Sequence, residues 1–232
     1  MTPPAVVFLD FDGTITCRDV TDAILEQFAD GEWQAVERDW IAGRIGSREC
    51  LARQMALVRA KPRDLDALID AIEVDAGFPA LAEACASRGV PLTVVSDGFD
   101  YCIRRVLNRP QFRDRLSGIG IVSSGLEWAG GAWRTFFAHP VEPCEHGCGT
   151  CKPAAMARLR GGAPIVLFAG DGLSDRHAAA QTGATVFAKN ALARFCAAAA
   201  IPFVPYETLA DVAVALEQVL SAAAPAASLK GV

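Results

Sequence analysis

Residues 6–16 read VVFLDFDGTIT and are the most informative segment of the chain. Its first four residues form a short, continuous apolar run, and such a run is typical of a buried parallel strand. Asp10 and Asp12 follow where this strand should end, and Gly13 lets the backbone turn away sharply. Because side chains alternate along an extended segment, the two carboxylates can share one face. Two like charges so close are costly unless a cation or catalysis requires them, so we expect a functional site here.

Two further apolar runs end in the same way. Leu92–Val95 leads into Ser96, and Ile165–Ala169 leads into Gly170 and Asp171. Parallel strands place such ends along one edge of the sheet, which is where open α/β sheets bind ligands. Oxygen ligands of this kind suit Mg²⁺. The sequence therefore predicts a Mg²⁺ site built from Asp10, Asp12, Asp171 and Asp175.

The spacing of apolar residues predicts the architecture. From about Asp19 to Ala76 they recur every three or four positions, which indicates helices, whereas strands and helices alternate after Gly77. We therefore expect an α/β fold in which helices cover both faces of a Rossmannoid parallel sheet. A small all-helical cap, residues 17–76, is inserted after the first strand. Residues 1–16 and 77–221 form the core, and residues 222–232 are expected to be a frayed tail.

Composition limits the partners and the compartment. The formal net charge is -5 and no run of Lys or Arg occurs, which argues against nucleic acid or an anionic membrane as the main partner. We identify neither a signal peptide nor an apolar stretch long enough to cross a bilayer. Scattered cysteines without an export signal favour reduced thiols in the cytoplasm. The oligomeric state is not encoded in any visible pattern.

The residue types at the strand ends restrict the chemistry. They include no thiol, no Ser/His/Asp triad and no imidazole zinc ligands, so the nucleophile is a carboxylate or a metal-bound water. Asp10 is the better candidate for attack on phosphorus, which would give an acyl phosphate. Asp12, one residue further along, could protonate the leaving oxygen and then deprotonate water. Phosphoryl transfer also needs a cation, and Lys152 is suitably placed in the sequence.

Together these residues resemble the four motifs of haloacid dehalogenase superfamily phosphatases. The resemblance implies that Asp10 is the nucleophile and Asp12 the general acid/base. It also implies that Ser96 and Lys152 hold the phosphate, and that Asp171 with Asp175 completes the Mg²⁺ site. We expect Asp97 and Gly98 to lie beside the phosphate, although Asp97 stands where the family usually has Gly.

The helical insert resembles the cap of the phosphoserine-phosphatase-like branch, which closes over small phosphorylated metabolites. Asp19 stands where phosphoserine phosphatases typically carry Glu, and both Asp19 and Arg53 are candidate substrate-binding residues. Several segments, among them Cys151-Lys152-Pro153, most resemble bacterial methionine-salvage phosphatases that act on 2-hydroxy-3-keto-5-methylthiopentenyl 1-phosphate. The alternatives are a phosphoserine phosphatase, a phosphotransferase, and a non-catalytic phospho-dependent or zinc-loop interaction module.

Three cysteines and one histidine cluster immediately before Lys152. They offer four soft ligands within eight residues, which is tight for a tetrahedral zinc site. Structural zinc, a redox-labile disulfide and ordinary loop cysteines are all compatible with the pattern. The candidate ligands are Cys144, His146, Cys148 and Cys151.

Overall fold

The computed structural model describes residues 2–112, 118–138, 144 and 146–223. In these ranges the strands are β1 (Ala5–Leu9), β2 (Leu92–Phe99), β3 (Gly120–Ala129), β4 (Ala132–Phe136), β5 (Ile165–Gly170), β6 (Thr185–Ala188) and β7 (Val204–Pro205). The helices are α1 (Val20–Phe28), α2 (Trp33–Ile41), α3 (Ser47–Met55), α4 (Pro62–Ala71), α5 (Phe78–Ser87), α6 (Asp100–Leu107), α7 (Lys152–Leu159), α8 (Arg176–Gln181), α9 (Asn190–Ala198) and α10 (Leu209–Ala223). A 3₁₀ turn, Leu173–Asp175, precedes α8.

The strands form a single sheet in the order β4-β3-β2-β1-β5-β6-β7. All neighbours are parallel except β4, which pairs antiparallel with β3 through a turn at Gly130 and Gly131. Leu9, at the end of β1, pairs with Val94 of β2 and with Ala169 of β5. The ends of these three strands therefore lie side by side, and the predicted α/β sheet is confirmed.

Helices cover both faces of this sheet because the residues of β1 alternate between two apolar clusters. Val7 and Leu9 pack with residues of α1, α5 and α10 on one face. Val6 and Phe8 pack with residues of α7 and α9 on the other. A strand buried on both faces has no polar side to present, which is why its sequence is a continuous apolar run.

The helical insert, by which we mean α1 to α4, lies between β1 and α5 in the chain, where the cap was expected. Two isolated β-bridges connect parts of the insert. One joins Thr16 before it to Val74 after it, and the other joins Ala29 after α1 to Val58 after α3. The core and cap boundaries themselves remain a prediction. Residues 222 and 223 belong to α10, and the rest of the expected tail lies outside the described residues. Within the described ranges, no helix has the length and apolar character needed to cross a membrane.

Candidate active site

Three carboxylates meet at the edge of the sheet. Asp10 follows β1, Asp171 follows β5, and Asp175 ends the 3₁₀ turn. Each offers an oxygen within 4.8 Å of the other two. Asp175 is held in place because its Oδ2 accepts the backbone N–H groups of Asp171 at 3.0 Å and Gly172 at 3.2 Å. Parallel pairing of β1 with β5 thus brings together three of the four carboxylates predicted as Mg²⁺ ligands, Asp10, Asp171 and Asp175.

Lys152, the first residue of α7, inserts a buried ammonium into this cluster. Its Nζ lies 2.9 Å from Asp10 Oδ1 and 2.5 Å from Asp175 Oδ1. Although burial alone would lower the pKa of Lys152, the carboxylates of Asp10 and Asp175 raise it. The lysine is therefore a permanent cation beside the proposed nucleophile.

Asp12 occupies a different environment only two residues away. Its Oδ1 accepts the N–H of Val20 at 2.9 Å, so the carboxylate faces the start of α1. Burial and the neighbouring Asp10 raise its pKa to about 7. A carboxyl group with such a pKa can hold or release a proton near neutral pH, as a general acid/base must. Its carboxylate is not part of the Asp10, Asp171 and Asp175 group found among the described residues.

The tight packing of this site explains its glycines. Gly13 has φ +69°, and a Cβ there would collide with the carboxylate of Asp171. At Gly98 a Cβ would collide with Asp12 Oδ2. The acidic side chains can approach the backbone only because these positions lack side chains.

The expected phosphate loop at the end of β2 contains one hydroxyl and one carboxylate that face different partners. Ser96 is buried, and its Oγ accepts the N–H of Gly98 at 3.0 Å. Asp97 uses both carboxylate oxygens: Oδ2 accepts from Ser47 Oγ at 2.6 Å and Oδ1 from the N–H of Thr150 at 2.7 Å. The carboxylate of Asp97 is therefore committed to the helical insert and to the loop before Lys152.

A cavity of about 650 Å³ lies over the cluster. The strand ends contribute Asp10, Asp12, Ser96 and Asp171 to its lining, and the helical insert contributes the opposite wall. That wall combines acidic with apolar side chains. The acidic ones are Asp19, Asp22 and Glu37, and the apolar ones include Trp40, Ile41 and Leu51.

Asp19, one of the two predicted substrate-binding residues, lines this cavity. It is the N-cap of α1, where its Oδ1 accepts the N–H of Asp22 at 2.9 Å. Burial and then Asp12 raise its pKa well above the ordinary value. Asp19 is thus both a structural cap and an acidic group facing the cavity.

The structure does not bring Arg53, the other predicted substrate-binding residue, to the cavity. Its neighbours Cys50 and Gln54 on α3 line the cavity, whereas Arg53 is exposed and pairs with Glu49 at 3.2 Å. The physical reason is helical phase, since consecutive residues of a helix point about 100° apart. No role in substrate binding is retained for Arg53.

Of the three alternatives for the cysteine loop, structural zinc is not supported. In the part of the chain that the structure describes, no three of Cys144, His146, Cys148 and Cys151 bring ligand atoms within 4.8 Å of one another. His146 instead packs its ring on His177, with centroids 3.7 Å apart. All eight cysteines are free thiols, so the loop contains no disulfide either.

Three further residues support the site and were given no role from the sequence. Thr14 Oγ1 donates to Asp171 Oδ1 at 3.4 Å, and Asn190 Nδ2 donates to Asp171 Oδ2 at 3.3 Å. The hydroxyl of Tyr206 lies 3.4 Å from both Thr14 Oγ1 and the carbonyl of Gly170. Asn190 follows β6 and Tyr206 follows β7. Their position after strands at the same sheet edge is the signal that could have identified them.

The donor set fits a Mg²⁺ ion. Three carboxylates face one ammonium, which leaves excess negative charge, and the pKa of Asp171 is raised by burial and by Asp10. All the candidate ligand atoms are oxygens, as Mg²⁺ prefers. Asp10, Asp171 and Asp175 are therefore the residues that would hold the ion.

Comparison with known proteins decides the family. Residues 7–180 match the family model described as haloacid dehalogenase-like hydrolase, and this range includes every carboxylate of the cluster. The chain belongs to the haloacid dehalogenase-like hydrolases. The family predicted from the sequence motifs is confirmed, and with it the expectation of a phosphatase.

Curated relatives of this hydrolase include two from Geobacillus species. A protein named 2-hydroxy-3-keto-5-methylthiopentenyl-1-phosphate phosphatase from Geobacillus kaustophilus is 32% identical over 221 residues, covering 94% of this chain and 98% of the relative. One of the same name from Geobacillus thermodenitrificans is 30% identical and covers 91% of this chain and 95% of the relative.

Solved structures confirm the fold of this hydrolase. Phosphoserine phosphatase from T. onnurineus superposes with a TM-score of 0.67 at 14% identity, covering 93% of this chain and 96% of that one. At this identity the likeness speaks for the fold alone. The sheet and the helical insert thus belong to an architecture already seen in a phosphatase.

Proposed function

We propose that this hydrolase is a Mg²⁺-dependent phosphatase of 2-hydroxy-3-keto-5-methylthiopentenyl 1-phosphate. The observation that carries the proposal is that Asp10 and Asp12 have different partners. Asp10 lies in the carboxylate cluster beside the ammonium of Lys152, whereas Asp12 accepts the N–H of Val20. The names of relatives that are 30–32% identical over more than 90% of the chain support the choice of substrate.

The proposed first step transfers the phosphoryl group to the enzyme. Asp10 attacks phosphorus and forms an acyl phosphate, while the bond from phosphorus to the ester oxygen breaks. Asp12 gives its proton to that departing oxygen, which leaves as the alcohol. Lys152 keeps a positive charge next to Asp10, where it attracts the phosphate oxygens. Bound Mg²⁺ would supply further positive charge to the transferring group.

The proposed second step returns the enzyme to its starting state. Asp12, now ionised, removes a proton from water as the water attacks phosphorus, and Asp10 leaves as a carboxylate. Phosphate is released and Asp12 is protonated again, so protons and charge balance over the cycle. Asp12 must change protonation twice per turnover, which suits a pKa of about 7.

The walls of the cavity support a substrate whose organic part is neutral and ends in an apolar group. Glu37 and Asp22 would repel a second anionic group but can accept hydrogen bonds from hydroxyls. Trp40 and Ile41 offer apolar surface within the same cavity. We propose that the helical insert acts as a cap that places Trp40 and Ile41 over the bound ester. The methylthio end of the substrate then contacts these two side chains.

The compartment and the phosphate acceptor are part of the proposal. Eight free thiols suit a reducing cytoplasm. Water is the proposed acceptor, and a phosphotransferase would instead yield a new phosphate ester when alcohols are added. Product analysis with candidate alcohols separates the two outcomes.

The test is phosphate release with Mg²⁺ across a panel of phosphate monoesters that includes the methylthiopentenyl ester and phosphoserine. The methylthiopentenyl ester should give the highest kcat/KM. Asp10→Asn should abolish turnover, because an amide cannot form the acyl phosphate. Asp30→Asn, an isosteric change at an exposed aspartate outside the cavity lining, is the matched control. Near-normal turnover by Asp10→Asn would refute the mechanism, and preference for another ester would refute the substrate.

A further inference from the structure

One carboxylate joins three segments that are far apart in the sequence. Asp97, at the end of β2, accepts hydrogen bonds from Ser47 Oγ at the start of α3 and from the N–H of Thr150 in the loop before α7. Ser47 Oγ in turn accepts the N–H of Gly149 at 2.9 Å. The side chain of Ser47 and the residue Thr150 are both buried. We call this set of contacts the Asp97 clamp.

The clamp fixes the loop that delivers Lys152. Thr150 lies two residues before Lys152, whose ammonium reaches Asp10 and Asp175. The same loop is held against the helical insert because Arg48 N–H donates to the carbonyl of Gly147 at 3.0 Å. The loop before Lys152 is therefore hydrogen-bonded both to the helical insert and to the phosphate loop at the end of β2.

We propose that Asp97 is a positioning residue that acts through Thr150 on Lys152 and, through Ser47, ties the helical insert to the phosphate loop. A carboxylate next to the phosphate loop would ordinarily repel substrate. Here both of its oxygens already accept hydrogen bonds, which offset part of the cost of burying the charge. The proposal does not depend on which phosphate ester is the natural substrate.

The experiment measures kcat and KM for p-nitrophenyl phosphate with saturating Mg²⁺ in wild type, Asp97→Ala, Asp97→Asn and Ser47→Ala. Asp97→Ala should lower kcat by about tenfold to a hundredfold, the usual effect of losing a group that orients a functional residue. Asp97→Asn should recover most of that loss. Its amide oxygen can accept from Thr150, and its amide nitrogen can donate to Ser47 Oγ.

Asp211→Ala is the matched control, because Asp211 also accepts two backbone N–H groups, from Glu207 and Thr208, but lies outside the cavity lining. It should lower the thermal midpoint and leave kcat unchanged. Native-state hydrogen exchange provides a second readout. Exchange at the N–H groups of Gly149 and Thr150 should accelerate in Asp97→Ala and not in Asp211→Ala.

The outcomes separate positioning from mere stabilisation. A folded Asp97→Ala enzyme with wild-type kcat overturns the proposal. So does an Asp97→Asn enzyme as slow as the alanine variant, since this assigns the effect to charge rather than to hydrogen bonds. If Asp97→Ala does not fold, Ser47→Ala decides: a lowered kcat supports the proposal, and a wild-type kcat overturns it. Absence of turnover by wild type on every monoester would instead contradict the phosphatase function, leaving the hydrogen-exchange comparison to test the clamp.

Discussion

Aspartates that are close together in the chain behave differently because the fold gives each its own partners. Asp10 contacts the buried ammonium of Lys152, whereas Asp12 accepts the N–H of Val20. Burial and the charge of Asp10 outweigh the opposing effects of the Val20 N–H and Lys152, so the pKa of Asp12 is raised. One residue type thus supplies both a nucleophile and a proton carrier.

Asp22 provides a prediction about pH and stability. Burial, followed by Glu37 and Glu26, raises its pKa to about 6. Because the folded state binds this proton more tightly than the unfolded state, ionisation above that pH opposes folding, and below about pH 4 the cost vanishes. Asp22→Asn should therefore stabilise the fold by roughly 1 kcal/mol at pH 7.5, after discounting for partial exposure, and by almost nothing at pH 4.

Urea unfolding at both pH values tests this prediction. Asp211→Asn is the control with the opposite sign, because backbone N–H groups lower the pKa of Asp211. That variant should lose stability at pH 7.5 and keep most of that loss at pH 4, because stabilisation from a lowered carboxyl pKa disappears only as pH falls through that pKa, below its usual value. A destabilised Asp22→Asn at pH 7.5 would contradict the assigned cause of the shift.

At this scale the sequence indicated residue types better than it indicated partners. The positions Asp10, Asp12, Ser96, Lys152, Asp171 and Asp175 could be proposed because each lies at a strand end or helix start. The partners of Asp97 could not, because Ser47 and Thr150 are separated from it by 50 and 53 positions. Only the packing of the helical insert on the core determines that contact.

At the scale of elements, α2 and α3 decide what surface faces the cavity. Gln54 of α3 donates from Nε2 to Glu37 Oε2 of α2 at 2.8 Å, which sets the two helices in register. This register leaves Trp40 and Ile41 beside the cavity, with Ile41 58% exposed. Apolar surface left open in a ligand cavity gains free energy when a ligand covers it.

Ile41→Asp should therefore weaken recognition of an apolar substrate end. For the methylthiopentenyl ester, KM should rise by about tenfold with little change in kcat, as expected for loss of one small apolar contact. For the analogue in which hydrogen replaces the methylthio group, KM should change by less than about twofold. Steady-state kinetics on both esters makes the comparison.

Val214→Asp is the control for this prediction, because Val214 is also 58% exposed but lies on α10, outside the cavity lining. It should change neither KM. An equal effect of Ile41→Asp on both esters would place the methylthio end elsewhere.

Helical spacing predicted that the insert is helical, but alternation after Gly77 did not predict the last elements of the core individually. The structure continues with α9, β7 and α10. β7 has only two residues, one of them a proline, so no alternation could reveal it. Tertiary packing rather than pattern therefore defines β7.

At the scale of the whole molecule, folding brings the carboxylates of the site together, and their mutual repulsion opposes folding. Asp10 follows β1, and Asp171 and Asp175 follow β5, so they meet only when these two strands pair. Lys152, brought by α7, compensates part of the charge. The remaining excess of negative charge makes the folded state, and not the unfolded chain, the form that binds a divalent cation.

Mg²⁺ should therefore stabilise the entire fold. A ligand that binds only the folded state adds about 2.7 kcal/mol at a hundred times its Kd, and the thermal midpoint should rise with Mg²⁺ concentration. Asp171→Asn should lose most of this response, because it removes one carboxylate from the cluster. Without Mg²⁺ the variant should be at least as stable as wild type, since the mutation also removes a charge that Asp10 repels. Asp30→Asn should keep the full response. Calorimetry across a Mg²⁺ series measures all three proteins, and an Asp171→Asn response equal to that of wild type would place the ion outside this cluster.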